Sequence, residues 1–167
     1  MRISELLEAV GANLLYHSVY SFSILEKILQ SGKILPRVAT HGSEMGRTNP
    51  VISLTRDQFY RFPNYEGAAQ FAIDRDALRR AGIKVQPFGW SPYYTSTPKG
   101  KDPEKEEEVL VPIPLKQPFI SHIEINPDIP QDKILPSIIK LAAERGIPIR
   151  SMKSYQGQRK VSKGFTN

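Results

Sequence analysis

The sequence predicts an α+β domain of split, mostly antiparallel β-sheets with flanking helices. Three observations carry this expectation. The apolar periodicity runs helix, strand, helix, and then strands with short helices between them. The strands are short and separated by irregular loops. No G-x-G-x-x-G or Walker-type loop is present, so nothing points to a doubly wound nucleotide-binding sheet.

The elements follow in chain order. Residues 3–10 read as a helix with Ile3, Leu6, Leu7 and Val10 on one face. Asn13 to Ser18 read as a short strand. Ser21 is a good N-cap for a helix whose apolar positions are Phe22, Leu25, Ile28 and Leu29, with Gly32 at its C′ position. Lys33 to Pro36 follow as a short extended piece. Residues 37–50 are loop, rich in turn formers such as Gly42, Gly46, Asn49 and Pro50. Val51 to Thr55 and Ala68 to Ile73 are strands. Asp74 caps a short helix, Arg75 to Ala81, that ends at Gly82, and Ile83 to Gln86 form a further extended stretch. Residues 87–103 make a proline-rich loop long enough to suggest a functional segment. Glu107 to Val111 and Phe119 to Ile125 are strands. Residues 132–145 read as a helix with Pro136 in its first turn and Gly146 as its C′ residue. Ile147 to Ile149 supply a last strand.

Residues 1–149 therefore make one domain, and 150–167 a basic tail. Six of the 23 basic residues lie after Glu144, where no acidic residue follows, so the remaining 17 balance the 17 acidic ones and the excess of +6 belongs to the C-terminal segment. Such a segment suits contact with nucleic acid or simple solvation; the sparse aromatics there, Tyr155 and Phe165, favour solvation. The absence of cysteine excludes disulfides, thiolate metal sites and cysteine nucleophiles. His17, His41 and His122 have no metal-ligand spacing, so no metal is expected. No apolar stretch approaches the ~20 residues needed to span a bilayer. The first residues carry Glu5 and Glu8 within their apolar run, unlike a signal peptide, and a cytoplasmic protein is expected.

The chemistry concentrates at Glu106 and Glu108. In a strand, positions i and i+2 point to one side and lie about 6–7 Å apart. Two neighbouring carboxylates repel, so folding gains little from them, whereas chemistry at a sugar uses such a pair. On charge alone, residues 102–108 also fit a solvated acidic patch balanced by Lys99, Lys101 and Lys105.

The run Glu106-Glu107-Glu108-Val109-Leu110-Val111-Pro112 resembles the Glu-x-Glu signature strand of ADP-ribosyltransferases. Two further parts of that family's pattern precede it in the family's order. Leu15-Tyr16-His17-Ser18, followed by the helix from Ser21, resembles the opening strand of the branches that use histidine. Ser53-Leu54-Thr55 resembles the Ser-x-Ser or Ser-x-Thr strand. The resemblance covers roughly residues 13–125, and it mixes a histidine opening with the Glu-x-Glu of the arginine-initiated branch. The same opening pattern and the Ser-Leu-Thr-Arg-Asp strand also resemble small bacteriophage proteins, which would place the chain in a host cytoplasm.

The resemblance implies a transferase that consumes NAD as a substrate and moves ADP-ribose to a macromolecule, protein rather than nucleic acid, with arginine the first expectation. It assigns Glu108 to the ribose and Glu106 to the acceptor. It gives His17 and Tyr16, Ser53 and Thr55, and Arg56 to NAD, with Arg56 at the pyrophosphate, and Tyr93 and Tyr94 to the acceptor. Taken singly, each has a plainer role: His17 as a satisfied half-buried histidine, Ser53 and Thr55 as strand residues, Arg56 as the ion partner of Asp57. The alternative from a different class is a non-enzymatic nucleic-acid-binding or virion-associated protein that uses the basic tail.

Overall fold

The structure is a computed structural model, and it describes residues 13–38, 50–55, 67–87, 106–126 and 134–151. The helix expected over 3–10, and most of the loops 37–50 and 87–103, lie outside the described residues.

Twelve elements make up the described chain. They are β1 (Leu14–Val19), α1 (Phe22–Ser31), β2 (Lys33–Ile34), β3 (Ile52–Thr55), β4 (Ala69–Asp74), α2 (Arg75–Arg80), β5 (Gln86–Pro87), β6 (Glu106–Val109), β7 (Ile113–Pro114), β8 (Ile120–Ile125), α3 (Pro136–Glu144) and β9 (Ile149–Ser151). Seven strands form one sheet in the order β5-β6-β3-β1-β4-β8-β9, and β2 pairs with β7 in a separate two-stranded sheet. Every pairing is antiparallel except β8 with β9. The α+β class and the mostly antiparallel sheet are thus as the sequence predicts. Among the described residues, no helix is long and apolar enough to cross a membrane.

Alternation along the strands builds the core. Leu15, Val19, Ile52, Leu54, Phe71 and Val109 fall on one side of the main sheet and are buried. Leu25 and Leu29 of α1, and Ile138 and Ala142 of α3, join the same apolar cluster. Each fully buried Leu or Phe contributes roughly 1.5–3 kcal/mol. A one-residue slip would exchange these side chains for the polar set on the other side, so the register is fixed by the pattern itself.

The helix ends follow local chemistry. Ser21 Oγ accepts from the Ile24 amide at 3.3 Å, as an N-cap does. Gly32 closes α1 at φ 72°, a left-handed conformation that disfavours a Cβ. Arg145, the residue just past α3, then crosses to α1: its Nε donates to the Leu29 carbonyl at 2.7 Å. Its guanidinium lies over Gly32, where an added Cβ would sit 2.9 Å from Nη1. Arg145 is therefore a structural cation and not a member of a solvated tail.

Several boundaries differ from expectation. The helix expected over 132–145 begins only at Pro136, because proline disfavours a helical residue before it and Leu135 is accordingly extended. The strand expected over Glu107–Val111 starts at Glu106 and stops at Val109, where its partner β3 ends at Ile52; Leu110 and Val111 turn outward into solvent. Only Gln86 and Pro87 pair where Ile83 to Gln86 were expected. The last strand is Ile149–Ser151 and takes in the first two residues of the expected tail. β7 was not anticipated: two residues ending in proline leave no alternation to read, and their pairing with β2 is decided by tertiary contact.

Candidate functional site

The three motif strands lie side by side, with β3 between β1 and β6. Their registers bring distant positions level. Ser53 faces Glu108, Thr55 faces Glu106, and Tyr16 faces Thr55. Residues directly opposite in an antiparallel pair have Cα atoms about 4.5–5.5 Å apart. Two cross-strand rows thus gather five of the expected site residues: Tyr16, Thr55 and Glu106 in one, Ser53 and Glu108 in the next.

Glu108 is 5% exposed. A buried carboxylate is costly unless hydrogen-bonded, and this one is: Oε1 accepts from Gln86 Nε2 at 2.7 Å. Gln86 sits on the outermost strand, directly opposite Glu108. Sequence reasoning placed Gln86 at the end of an extended stretch and gave it no role. No local signal says that β5 is the neighbour of β6.

His17 reaches the site differently. It shares its sheet side with Leu15 and Val19, the side of the core, while Ser53 and Glu108 fall on the other. It meets Ser53 through the backbone, with Nδ1 3.0 Å from the Ser53 carbonyl oxygen. A carbonyl can only accept, so Nδ1 carries the proton, and in the neutral ring Nε2 is left as an acceptor. Ser53 is the hinge of the arrangement: its carbonyl holds His17, and its register position faces Glu108.

A cavity of about 250 Å³ opens where β1 ends, between α1 and β2. His17, Ser18 and Tyr20 line it together with Lys27, Lys33 and Arg37, over an apolar floor that includes Ile28 and Val51. Glu108 and Ser53 are not on its wall. Among the described residues, Lys27, Lys33 and Arg37 form no ion pair, and no carboxylate lines the cavity. Its lining is mostly apolar, and the charges that the described residues bring to it are positive.

A second polar group lies farther along the Glu108 side of the sheet. Gln70, His122 and Glu124 are all buried. Glu124 accepts from the Gln70 amide and faces His122 Nε2 at 3.1 Å, while Ser121 Oγ lies 3.0 Å from His122 Nδ1. Ser121 is the extra residue of a β-bulge, since Ala72 pairs with His122 but Ile73 with Ile120. Sequence reasoning missed this group. The available signal was the polar alternation inside two otherwise apolar strands, Gln70 between Ala69 and Phe71, and His122 and Glu124 around Ile123.

Arg56, Tyr93 and Tyr94 lie outside the described residues, as does the tail from 152 onward. Of Glu106 only the strand position is described. No protein-family model matches the chain, and no curated protein does so either.

Proposed function

We propose that the chain is an ADP-ribosyltransferase that consumes NAD and transfers ADP-ribose to a macromolecular acceptor, an arginine side chain of a protein in first place. The observation that carries this reading is the convergence on Ser53. Three stretches that resemble the family's motifs are adjacent strands, and Ser53 links His17 by its carbonyl and Glu108 by cross-strand register. A main sheet accompanied by a separate two-stranded sheet also accords with the split sheet of that family.

In the reaction, the bond between the ribose C1′ and nicotinamide breaks, and nicotinamide leaves with the bonding electrons. The ribose passes through an oxocarbenium-like state with positive charge on C1′ and the ring oxygen. Glu108, held in place within the sheet, stabilises that charge and accepts a hydrogen bond from the ribose. The acceptor nitrogen then forms the new bond to C1′ and gives up its proton, with Glu106 as the orienting or deprotonating group. Ser53 and Thr55 support this face, and Tyr16 continues the same row. Arg56 serves the pyrophosphate. The cations of the cavity beside His17 suit the phosphate-bearing half of NAD, which has to round the ends of β1 and β3 to reach it from a ribose at Glu108 on the other side of the sheet.

The hairpin geometry supports the assignment of the acceptor to the segment that carries Tyr93 and Tyr94. That segment leaves β5 and returns in β6, and the two strands pair at Pro87 and Glu107, beside Glu108. The proposed setting is the cytoplasm, that of a host cell for a phage-encoded enzyme.

The test is incubation with labelled NAD and a cell lysate. Nicotinamide release and label on protein are expected from the wild type and neither from a folded Glu108→Gln variant. Undiminished activity in that variant sinks the assignment. Label that appears on nucleic acid instead moves the acceptor from protein to nucleic acid.

A further inference from the structure

We infer that Gln86 is a positioning residue for the Glu108 carboxylate, a role that rests on the transferase reading above. Gln86 occupies the short outer strand β5, level with Glu108 on β6. Its side-chain Nε2 donates to Glu108 Oε1 at 2.7 Å, a charge-assisted distance. β5 contributes only two residues to the sheet, so backbone pairing there is minimal and the amide side chain is a main tie between this edge and the carboxylate.

The tie matters because Glu108 must meet a transition state and not only a ground state. A carboxylate that must reorient as charge develops costs rate; one held by a donor is preorganised. The backbone already fixes the Cα of Glu108 from its other side, through Ser53. What backbone pairing cannot fix is rotation about the side-chain bonds, and a donor from the neighbouring strand does that. Glutamine suits the task. It is long enough to reach across the pair, and its N–H bonds to the carboxylate without adding a positive charge beside the forming cation.

The experiment compares the full chain with Gln86→Leu, which keeps the bulk and removes the donor, and Gln86→Lys, which restores an N–H donor. Glu108→Gln is measured beside them, with nicotinamide release as the readout and thermal melting as the fold control. Gln86→Leu is expected to lower kcat by roughly 10- to 100-fold, the scale of a misplaced catalytic group, with KM within about twofold. Gln86→Lys is expected to recover only part of that loss, because its donor brings a positive charge beside the forming cation. If Gln86→Leu fails to fold, Gln86→Met replaces it, because it keeps the length and loses the donor without adding a charge.

A wild-type kcat in Gln86→Leu, alongside loss in Glu108→Gln, overturns the positioning role and leaves the transferase reading standing. A raised KM with unchanged kcat overturns it as well, since that marks uniform binding. A loss in Gln86→Leu without one in Glu108→Gln shows that Gln86 does not act through Glu108. Should the wild type release no nicotinamide, the reading and the positioning role fall together.

Discussion

The His17 ring donates from Nδ1 to the carbonyl oxygen of Ser53 at 3.0 Å, so a side chain from one strand holds the backbone of the next. The bond orients the imidazole as well as joining β1 to β3. With Nδ1 committed as donor, Nε2 of the neutral ring is an acceptor, and His17 lines the cavity.

Replacing His17 by alanine is expected to cost about 1 kcal/mol of stability for the lost hydrogen bond. If the ring also holds NAD, KM for NAD rises about tenfold, the equivalent of ~1.4 kcal/mol of binding. Denaturant titration reads the first effect and steady-state kinetics the second. An unchanged KM would separate the ring from the ligand and leave it a structural tie.

The three cations of the cavity give a salt-dependent prediction. Lys27→Ala, Lys33→Ala and Arg37→Ala are each expected to raise KM for NAD by up to about fivefold, matching the ~1 kcal/mol ceiling of an exposed charge pair. The effect should shrink as ionic strength rises, because the groups are screened. A triple variant with a wild-type KM at low salt would show that the phosphates lie elsewhere.

Gly32 and Arg145 form a pair whose coupling is measurable. Gly32→Ala places a Cβ at φ 72° and 2.9 Å from the Arg145 guanidinium. The left-handed conformation alone costs roughly 1–2 kcal/mol. Removing the guanidinium with Arg145→Ala relieves the clash, so Gly32→Ala should cost less in that background. A double-mutant cycle is expected to show coupling of at least about 0.5 kcal/mol. Strict additivity would mean that the guanidinium swings aside without cost.

These relationships divide by how far each was legible in the sequence. The span of α1 was readable from Ser21 and Gly32, because a cap and a left-handed glycine act within one turn of themselves. The strands β1, β3 and β4 were readable as short runs bounded by turn or capping residues. Where α3 starts was obscured by Ile134 and Leu135, which continue the apolar pattern although Pro136 prevents the helix from including them. The order of His17, Ser53 and Glu108 along the chain was plain, yet order does not make β1, β3 and β6 neighbours. Gln86 and the group around Glu124 depend entirely on which strand lies beside which. That choice is settled by packing of the whole sheet, and no window of local sequence contains it.

The pairing of β5 with β6 carries one more consequence. Because Gln86 and Pro87 are clasped to Glu108 and Glu107, the two ends of the intervening 88–105 stretch are anchored at one place. Any connection between them starts and finishes at that one place. Doubling the length of such a loop costs only about 0.6 kcal/mol in closure entropy. A longer connection can therefore be accepted between the anchors, and the contact of Gln86 with Glu108 lies outside the part that changes.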